Sequence, residues 1–495
     1  MTFSHKASWP ELLIDPFEDK PKEECGVFGV MGATDASSLA VLGLHGLQHR
    51  GQEACGIAAY DGKKFSTERH LGLVSENFSG KNLRDRLPGS AAIGHVRYST
   101  QGETALRNVQ PLYADLKSGG LAIAHNGNFT NARSLRQQLV ENGSIFQSTS
   151  DTEVVLQLIA RSRRTKLIDR FIDALKQIEG AYALVALTNK KLIGARDPYG
   201  IRPLVLGELN GSPLLVSETC ALDIIDATFV RNIDPGEVVI INKDGTIKSI
   251  RPFANVQARP CIFEFVYFAR PDSYVDGRNV YQVRKEMGRQ LAREFPADVD
   301  VIVPVPDSGV PAALGFSQET GIPFELGIIR NHYVGRTFIQ PTQDVRDLSV
   351  RMKHAANRSV LEGKRVLLVD DSIVRGTTSR KIIRLVREAG ATEVHFRSAS
   401  PKICHPDFYG INLSDPKKLI AATHTIKEME KELAIESLGF LSVDGLYKAM
   451  GEPGRDPDNP KFSDHYFTGD YPTRLYDYDH AEADKNLQLS LLSVA

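Results

Sequence analysis

Two stretches of this chain carry residue types whose spacing could do chemistry. The first is Val366-Leu-Leu-Val-Asp-Asp-Ser-Ile-Val-Arg-Gly-Thr-Thr-Ser379. An apolar run ends in two adjacent carboxylates, Asp370 and Asp371, and a loop of Gly and hydroxyl residues follows. Open α/β sheets bind ligands at the carboxyl ends of their strands. Two carboxylates there can accept hydrogen bonds from a ribose diol, or help hold Mg²⁺ through oxygen. Arg375, Gly376, Thr377, Thr378 and Ser379 offer backbone N–H groups, hydroxyls and the start of a helix, donors that suit a phosphate. The spacing is not that of a Walker loop, which needs Gly-x-x-x-x-Gly-Lys. The run reads as a sugar-phosphate site.

The second stretch is Glu23-Glu-Cys25-Gly-Val-Phe-Gly-Val. A lone Cys before an apolar strand is usually core packing. Suitable partners for a reactive thiol occur elsewhere, in Leu47-Gln-His-Arg-Gly-Gln, Gly94-His-Val-Arg-Tyr-Ser-Thr, Ala124-His-Asn-Gly-Asn and Ser150-Asp-Thr-Glu.

Two kinds of architecture must position these stretches. Short strands are expected at 25–30, 91–96, 121–125, 182–188, 191–195, 204–207 and 237–241, with helices at 36–48, 131–142, 152–162 and 167–178. That pattern predicts layered α+β packing. From about residue 256 strand and helix alternate: helices at 281–294, 311–320 and 378–389, strands at 299–304, 324–329, 365–369 and 393–398. That is a parallel α/β sheet with 366–369 as its central strand. A long polar segment, 330–351, interrupts it and reads as a lid over the sugar-phosphate site.

At 495 residues two or three domains are expected. A hydrophobic fraction of 42% and a charged fraction of 24% are those of a globular protein. A net charge of −1 gives no general attraction to nucleic acid or membrane, and no apolar run is long enough to span a bilayer. Five scattered cysteines with no CxxC pair are poor material for disulfides or a thiolate zinc site and suit a cytoplasmic location. Residues 1–24 carry six acidic residues against three lysines and lack the features of a signal peptide. They read as either a mobile tail or a propeptide.

The 366–379 run resembles the phosphoribosylpyrophosphate (PRPP) motif of type I phosphoribosyltransferases. Cys25 and its four partner motifs resemble class II glutamine amidotransferases, over roughly residues 25–245. Phe263-Glu-Phe-Val-Tyr-Phe-Ala-Arg-Pro-Asp-Ser273 and Asn331-His-Tyr-Val-Gly-Arg-Thr-Phe-Ile339 extend the likeness, over residues 25–475, to the amidophosphoribosyltransferase family. The resemblance implies an α+β N-terminal-nucleophile domain (an αββα sandwich) at 25–255, an α/β type I phosphoribosyltransferase domain at 256–450, a propeptide at 1–24 and a C-terminal tail at 451–495.

It also implies a reaction. Ammonia from glutamine would attack C1 of PRPP, giving phosphoribosylamine, pyrophosphate and glutamate, the first step of de novo purine synthesis. Cys25 would be the nucleophile, its α-amino group the general base once 1–24 are removed. Asn126 and Gly127 would stabilise the oxyanion, Arg97 would hold the substrate carboxylate and Asp151 its ammonium. Ser308, Asp370 and Asp371 would be the positions for one Mg²⁺ per subunit, and Arg375 to Ser379 would hold the 5′-phosphate. Tyr333, Arg336 and Ile339 would fall on a loop that closes an ammonia channel, plain loop packing being the other reading of Tyr333 and Ile339. Family members are usually homotetramers inhibited by purine nucleotides.

Some members carry a four-iron cluster on four Cys. Here Cys261 matches the first position, but the others fall at Asp407, Ser463 and Tyr466, so no Fe–S cluster is expected. Cys261, Cys55 and Cys220 read as buried apolar residues. Two other readings are a different class II amidotransferase, which the PRPP motif opposes, and a PRPP-sensing regulator, which Cys25 with Arg97, Asn126 and Asp151 opposes.

Overall fold

Strands apolar on both faces need a layer on each side, and the first half of the chain supplies both. The computed structural model describes residues 25–80, 82–98, 105–254, 256–331, 354–411, 413 and 415–478. One antiparallel sheet has seven strands in the order Thr228–Asn232, Val205–Leu209, Ser212–Val216, Gly26–Met31, Ala91–Arg97, Ala54–Tyr60, Phe65–Leu71. A second has six, in the order Ile247–Ile250, Val238–Asn242, Lys191–Arg196, Gly180–Thr188, Gly119–Phe129, Leu112–Leu116. Strand Gly26–Met31 shows the period of two that layers them. Val27 and Met31 join Ile93, Ala124 and Val185 between the sheets. Phe28 and Val30 face the other way, onto Ala40 and Leu44 of helix Ala36–Gly46. Helices Ala132–Glu141, Thr152–Arg161 and Leu167–Leu175 cover the outside of the second sheet. The result is the αββα sandwich.

The second half is built on a parallel sheet ordered Val301–Pro304, Arg365–Asp370, Glu393–Ser398, Ser437–Phe440. Leu367 and Val369 pack on helix Val280–Glu294, while Val366 and Leu368 pack on helix Thr377–Glu388. Both faces are covered, as parallel sheets require.

In this half two expectations about strands change. The strand read at 324–329 does not form as such. Phe324 makes a single parallel bridge to Ile302. The chain then tightens, Gly327 N donating to the Glu325 carbonyl at 3.0 Å, and Ile328–Arg330 pairs antiparallel with His354–Ala356. The strand Ser437–Phe440 was not anticipated at all, being four residues long with no alternation to mark it. The 332–353 part of the expected lid, with Tyr333, Arg336 and Ile339, lies outside the described residues, as do residues 1–24.

The C-terminal segment returns to the first domain. Asn131, which precedes helix Ala132–Glu141, makes no side-chain cap. Asp477 takes that place: its carboxylate accepts the N–H groups of Arg133 at 2.6 Å and Ser134 at 3.0 Å. Those are among the donors a helix start leaves unpaired.

Candidate active site

Cys25 stands one residue before strand Gly26–Met31. Because Gly26 pairs with Val96, the antiparallel register sets Cys25 beside Arg97. The thiol is buried and donates to the Tyr98 carbonyl at 3.6 Å. Burial pushes its pKa up to about 11, against the pull of Tyr98 and the Arg97 cation, while the Asp151 carboxylate pushes the same way as burial. The thiol therefore feels both Arg97 and Asp151. A cation and a carboxylate around one nucleophile match the carboxylate and ammonium of a free amino acid.

Asn126 and Gly127 lie on strand Gly119–Phe129 of the facing sheet. The Asn126 side chain is fully buried, and neither its Oδ1 nor its Nδ2 has a hydrogen-bond partner. A buried carboxamide left unpaired costs free energy, and such groups mark sites kept for a ligand. Gly127 has φ +127°, and a Cβ there would collide with the Ala181 carbonyl oxygen, so no other residue fits.

Asp151 is held by a cluster that sequence reading missed. Its Oδ2 accepts Phe129 N at 3.1 Å and lies 3.7 Å from His125 Nδ1. Burial alone would raise its pKa, but His125 and the backbone donors of Phe129 and Thr152 outweigh burial and hold it below the usual carboxylate value. Gln110 ties the cluster together, accepting His125 N at 2.7 Å and donating to Thr152 Oγ1 at 3.0 Å. His95 Nε2 bonds the His125 carbonyl at 3.0 Å, linking the two sheets beside the site. His95 and His125 sit inside motifs already singled out, and Thr152 directly follows Asp151, so adjacency was the available signal. Gln110 carried none.

The second site forms where the parallel sheet ends. Asp370 and Asp371 are both buried. Asp370 Oδ1 accepts Asp371 N at 2.9 Å, and Ser372 Oγ donates to Asp371 Oδ1 at 2.6 Å. Arg375 and Gly376 lead directly into helix Thr377–Glu388, which places Thr377, Thr378 and Ser379 in its first turn. The Ser308–Gly309 loop comes alongside: Val305 N donates to the Val369 carbonyl at 2.9 Å, and a Cβ on Gly309 would stand 3.2 Å from Asp370 Cα. Gly309 thus stands against Asp370, with Ser308 the residue before it, and Ser308, Asp370 and Asp371 are the hard oxygen donors of this sheet end. Among the described residues no group of three or more His, Cys, Asp or Glu side chains forms a metal cage. Few protein oxygens, with room for substrate oxygens and water, suit Mg²⁺.

The four positions that the resemblance matched to cluster cysteines, Cys261, Asp407, Ser463 and Tyr466, are joined by a different chemistry. Cys261 Sγ lies 3.3 Å from Tyr466 Oη and bridges Ser463 through the backbone. Asp407 Oδ1 pairs with His465 Nε2 at 2.8 Å, and His465 Nδ1 bonds Ser463 Oγ at 3.0 Å. With one thiol among them, these residues do not fit a four-thiolate cluster. Cys261 is buried as expected, yet it is polar-bonded rather than purely apolar. Cys55 and Cys220 sit in the apolar core under helix Ala36–Gly46.

Fold and site together define a glutamine amidotransferase joined to a phosphoribosyltransferase. Residues 95–223 match a glutamine amidotransferase domain family, and residues 271–399 match a phosphoribosyl transferase domain family. The chain belongs to the amidophosphoribosyltransferase family. It is 61% identical over 469 residues to the amidophosphoribosyltransferase of Rhizobium etli, covering 94% of this chain and 95% of that one. It is 50% identical over 455 residues to that of Bacillus subtilis, covering 92% and 95%. A solved structure of the glutamine PRPP amidotransferase from B. subtilis, complexed with ADP and GMP, superposes with a TM-score of 0.87 at 49% identity, covering 92% of this chain and 98% of that one. Among the described residues no helix is long and apolar enough to cross a membrane.

Proposed function

We infer that this enzyme hydrolyses glutamine at Cys25 and delivers the ammonia to C1 of PRPP, forming phosphoribosylamine, pyrophosphate and glutamate at the entry to purine synthesis. The observation that carries the first half is the buried Cys25 thiol beside Arg97 in the strand register, in the field of the Asp151 carboxylate. Arg97 takes the substrate α-carboxylate and Asp151 its α-ammonium. Attack by sulfur on the side-chain carbonyl creates an oxyanion, for which Asn126 Nδ2 and Gly127 N–H are the donors.

A thiol whose pKa is pushed up to about 11 is not ionised at neutral pH, so a base must take its proton. An α-amino group titrates at about 8 and is suited to the task. In the full sequence the nitrogen of Cys25 is a peptide amide, which supports removal of residues 1–24 as a propeptide. Intact-mass measurement decides this, since a fully active protein retaining Met1 would rule it out.

In the other half, Arg375 to Ser379 hold the 5′-phosphate at the start of the helix, and Asp370 and Asp371 orient the ribose hydroxyls. When bound by Ser308, Asp370 and Asp371, Mg²⁺ would supply charge to the departing pyrophosphate. A loop spanning Tyr333, Arg336 and Ile339 would close the ammonia path. Ammonia free in water is mostly ammonium, without a lone pair, which favours a shielded route. A homotetrameric, purine-inhibited, cytoplasmic enzyme without an iron cluster completes the reading; five cysteines outside any disulfide are consistent with that location.

The test is PRPP-dependent release of glutamate by the purified protein. Cys25→Ala abolishes glutamine use and spares synthesis driven by ammonium salts; loss of both activities would contradict the division of labour.

A further inference from the structure

The strand that carries Asn126 and Gly127 belongs to the first domain, but it is gripped by a loop of the second. Asn128 Nδ2 donates to the Phe408 carbonyl at 2.8 Å. Arg202, fully buried, donates to the next carbonyl, that of Tyr409, through Nε at 3.2 Å and Nη2 at 2.7 Å. The following residue, Gly410, has φ +128°, and a Cβ there would stand 3.3 Å from both Cα and C of Gly127. Gly410 thus lies against the backbone of Gly127 and Phe408 against the side chain of Asn128, while Arg202 of the first domain holds Tyr409 between them.

The loop's own shape is set from within the second domain. Asp407 Oδ2 accepts Tyr409 N at 2.9 Å and Ile411 N at 2.6 Å, folding the chain around one carboxylate. Its Oδ1 is fixed by His465, which is fixed in turn by Ser463. Ser463, His465 and Asp407 have the connectivity of a hydrolytic triad. All three are buried, however, and the Ser463 hydroxyl is at 0% exposure, so no substrate reaches it. The trio acts on the backbone of the loop instead.

We propose that the 407–411 loop, held by the Asp407–His465 pair, is a positioning element for the glutamine half-reaction that sets where the Gly127 N–H and the Asn126 side chain stand. The proposal rests on the functional reading above. An oxyanion forms only as the reaction proceeds, so a displaced donor lowers kcat and leaves binding of glutamine unchanged.

Two variants test it, in the processed full-length enzyme. Gly410→Ala pushes a methyl onto Gly127, and Asn128→Ala removes the bond to Phe408. Each is assayed for glutamine-driven and ammonium-driven synthesis, with thermal unfolding as a check of folding. The expected result for Gly410→Ala is a fall of about tenfold or more in glutamine-driven kcat, with KM for glutamine and the ammonium-driven rate held within about twofold. Asn128→Ala shifts kcat the same way by less, and it decides the matter alone if Gly410→Ala does not fold. An unchanged glutamine-driven kcat overturns the proposal. So does a loss shared equally by kcat, KM and the ammonium-driven rate, which would mark a merely structural contact. Failure of the functional reading itself is separate: it shows in the parent enzyme as no PRPP-dependent glutamate release.

Discussion

Arg50 of the first domain and Glu264 of the second form an ion pair from which water is excluded, their side chains 0% and 1% exposed. Arg50 also pairs with Glu218, whose other oxygen accepts Arg270 N at 2.9 Å and Ser273 Oγ at 2.7 Å. Burial works against the Arg50 charge, but the two carboxylates outweigh it and hold its pKa above the ordinary value. Glu218 is likewise held well below the carboxylate range, because the charges of Arg50 and His49 overcome its burial. One guanidinium therefore serves two carboxylates at the domain boundary.

That ratio predicts an asymmetry. Arg50→Met removes the cation both carboxylates share, leaving Glu218 to His49 at 2.8 Å and Glu264 to Arg202 at 3.9 Å, and should cost about 3–5 kcal/mol of stability. Glu264→Gln leaves the Arg50–Glu218 pair intact and should cost about 1–3 kcal/mol. Urea unfolding of the two variants checks the order, and equal losses would contradict it.

Asn126→Leu should move activity and stability in opposite directions. Leu matches the shape of the carboxamide and removes two buried atoms that lack partners. The unfolding midpoint should hold or rise. Glutamine-driven kcat should fall by about 10²–10³ through loss of one oxyanion donor. A variant that loses both would show that Asn126 is structural.

His95 predicts an acid-side loss of stability. Burial, the leading cause, pushes its pKa down to about 3, while an unfolded His titrates at about 6.5. Below pH 6.5 the unfolded chain takes up a proton that the folded chain refuses. Stability from this group is therefore full above pH 6.5 and falls as the pH drops toward 3. Between pH 7 and pH 5 the contribution is about 2 kcal/mol. His95→Gln, measured by urea unfolding at both values, should flatten the slope by that amount.

Asp371→Asn should reduce synthesis from glutamine and from ammonium alike, by about a hundredfold, since both routes meet at C1 of PRPP. Cys25 alkylation by iodoacetamide should proceed as in the parent, because the thiol sits in the other domain. A variant that loses only glutamine-driven synthesis would displace Asp371 from the role proposed for it.

What could be read before the structure depended on whether the physics was local. The 366–379 run was legible because a β-branched strand, two carboxylates and a helix start follow one another along the chain. Cys25, whose place before a strand alone reads as core packing, was legible only through the four partner motifs elsewhere in the chain. Asp151 was legible as a charge, but Gln110, which braces it, lies 41 residues away and carries no signature of its own. The strand read at 324–329 failed for a related reason: its apolar residues were seen, while the competing partner His354–Ala356 lies beyond a long insertion. Edge strands such as Phe65–Leu71, with Ser66, Thr67, Glu68, Arg69 and His70, escaped because neither face is fully buried, so no apolar alternation is written into them.

The carboxylate of Asp477 that caps helix Ala132–Glu141 has a consequence in time. Domains made on the ribosome generally fold as they emerge, amino-terminal part first. Here the start of one helix in the first domain waits for a side chain encoded 344 residues later. Until residue 477 has been synthesised, the layer covering strand Gly119–Phe129 lacks this fastening. A cap of this kind is worth about 1 kcal/mol, so the first domain gains its last increment of helix stability only when the second is complete.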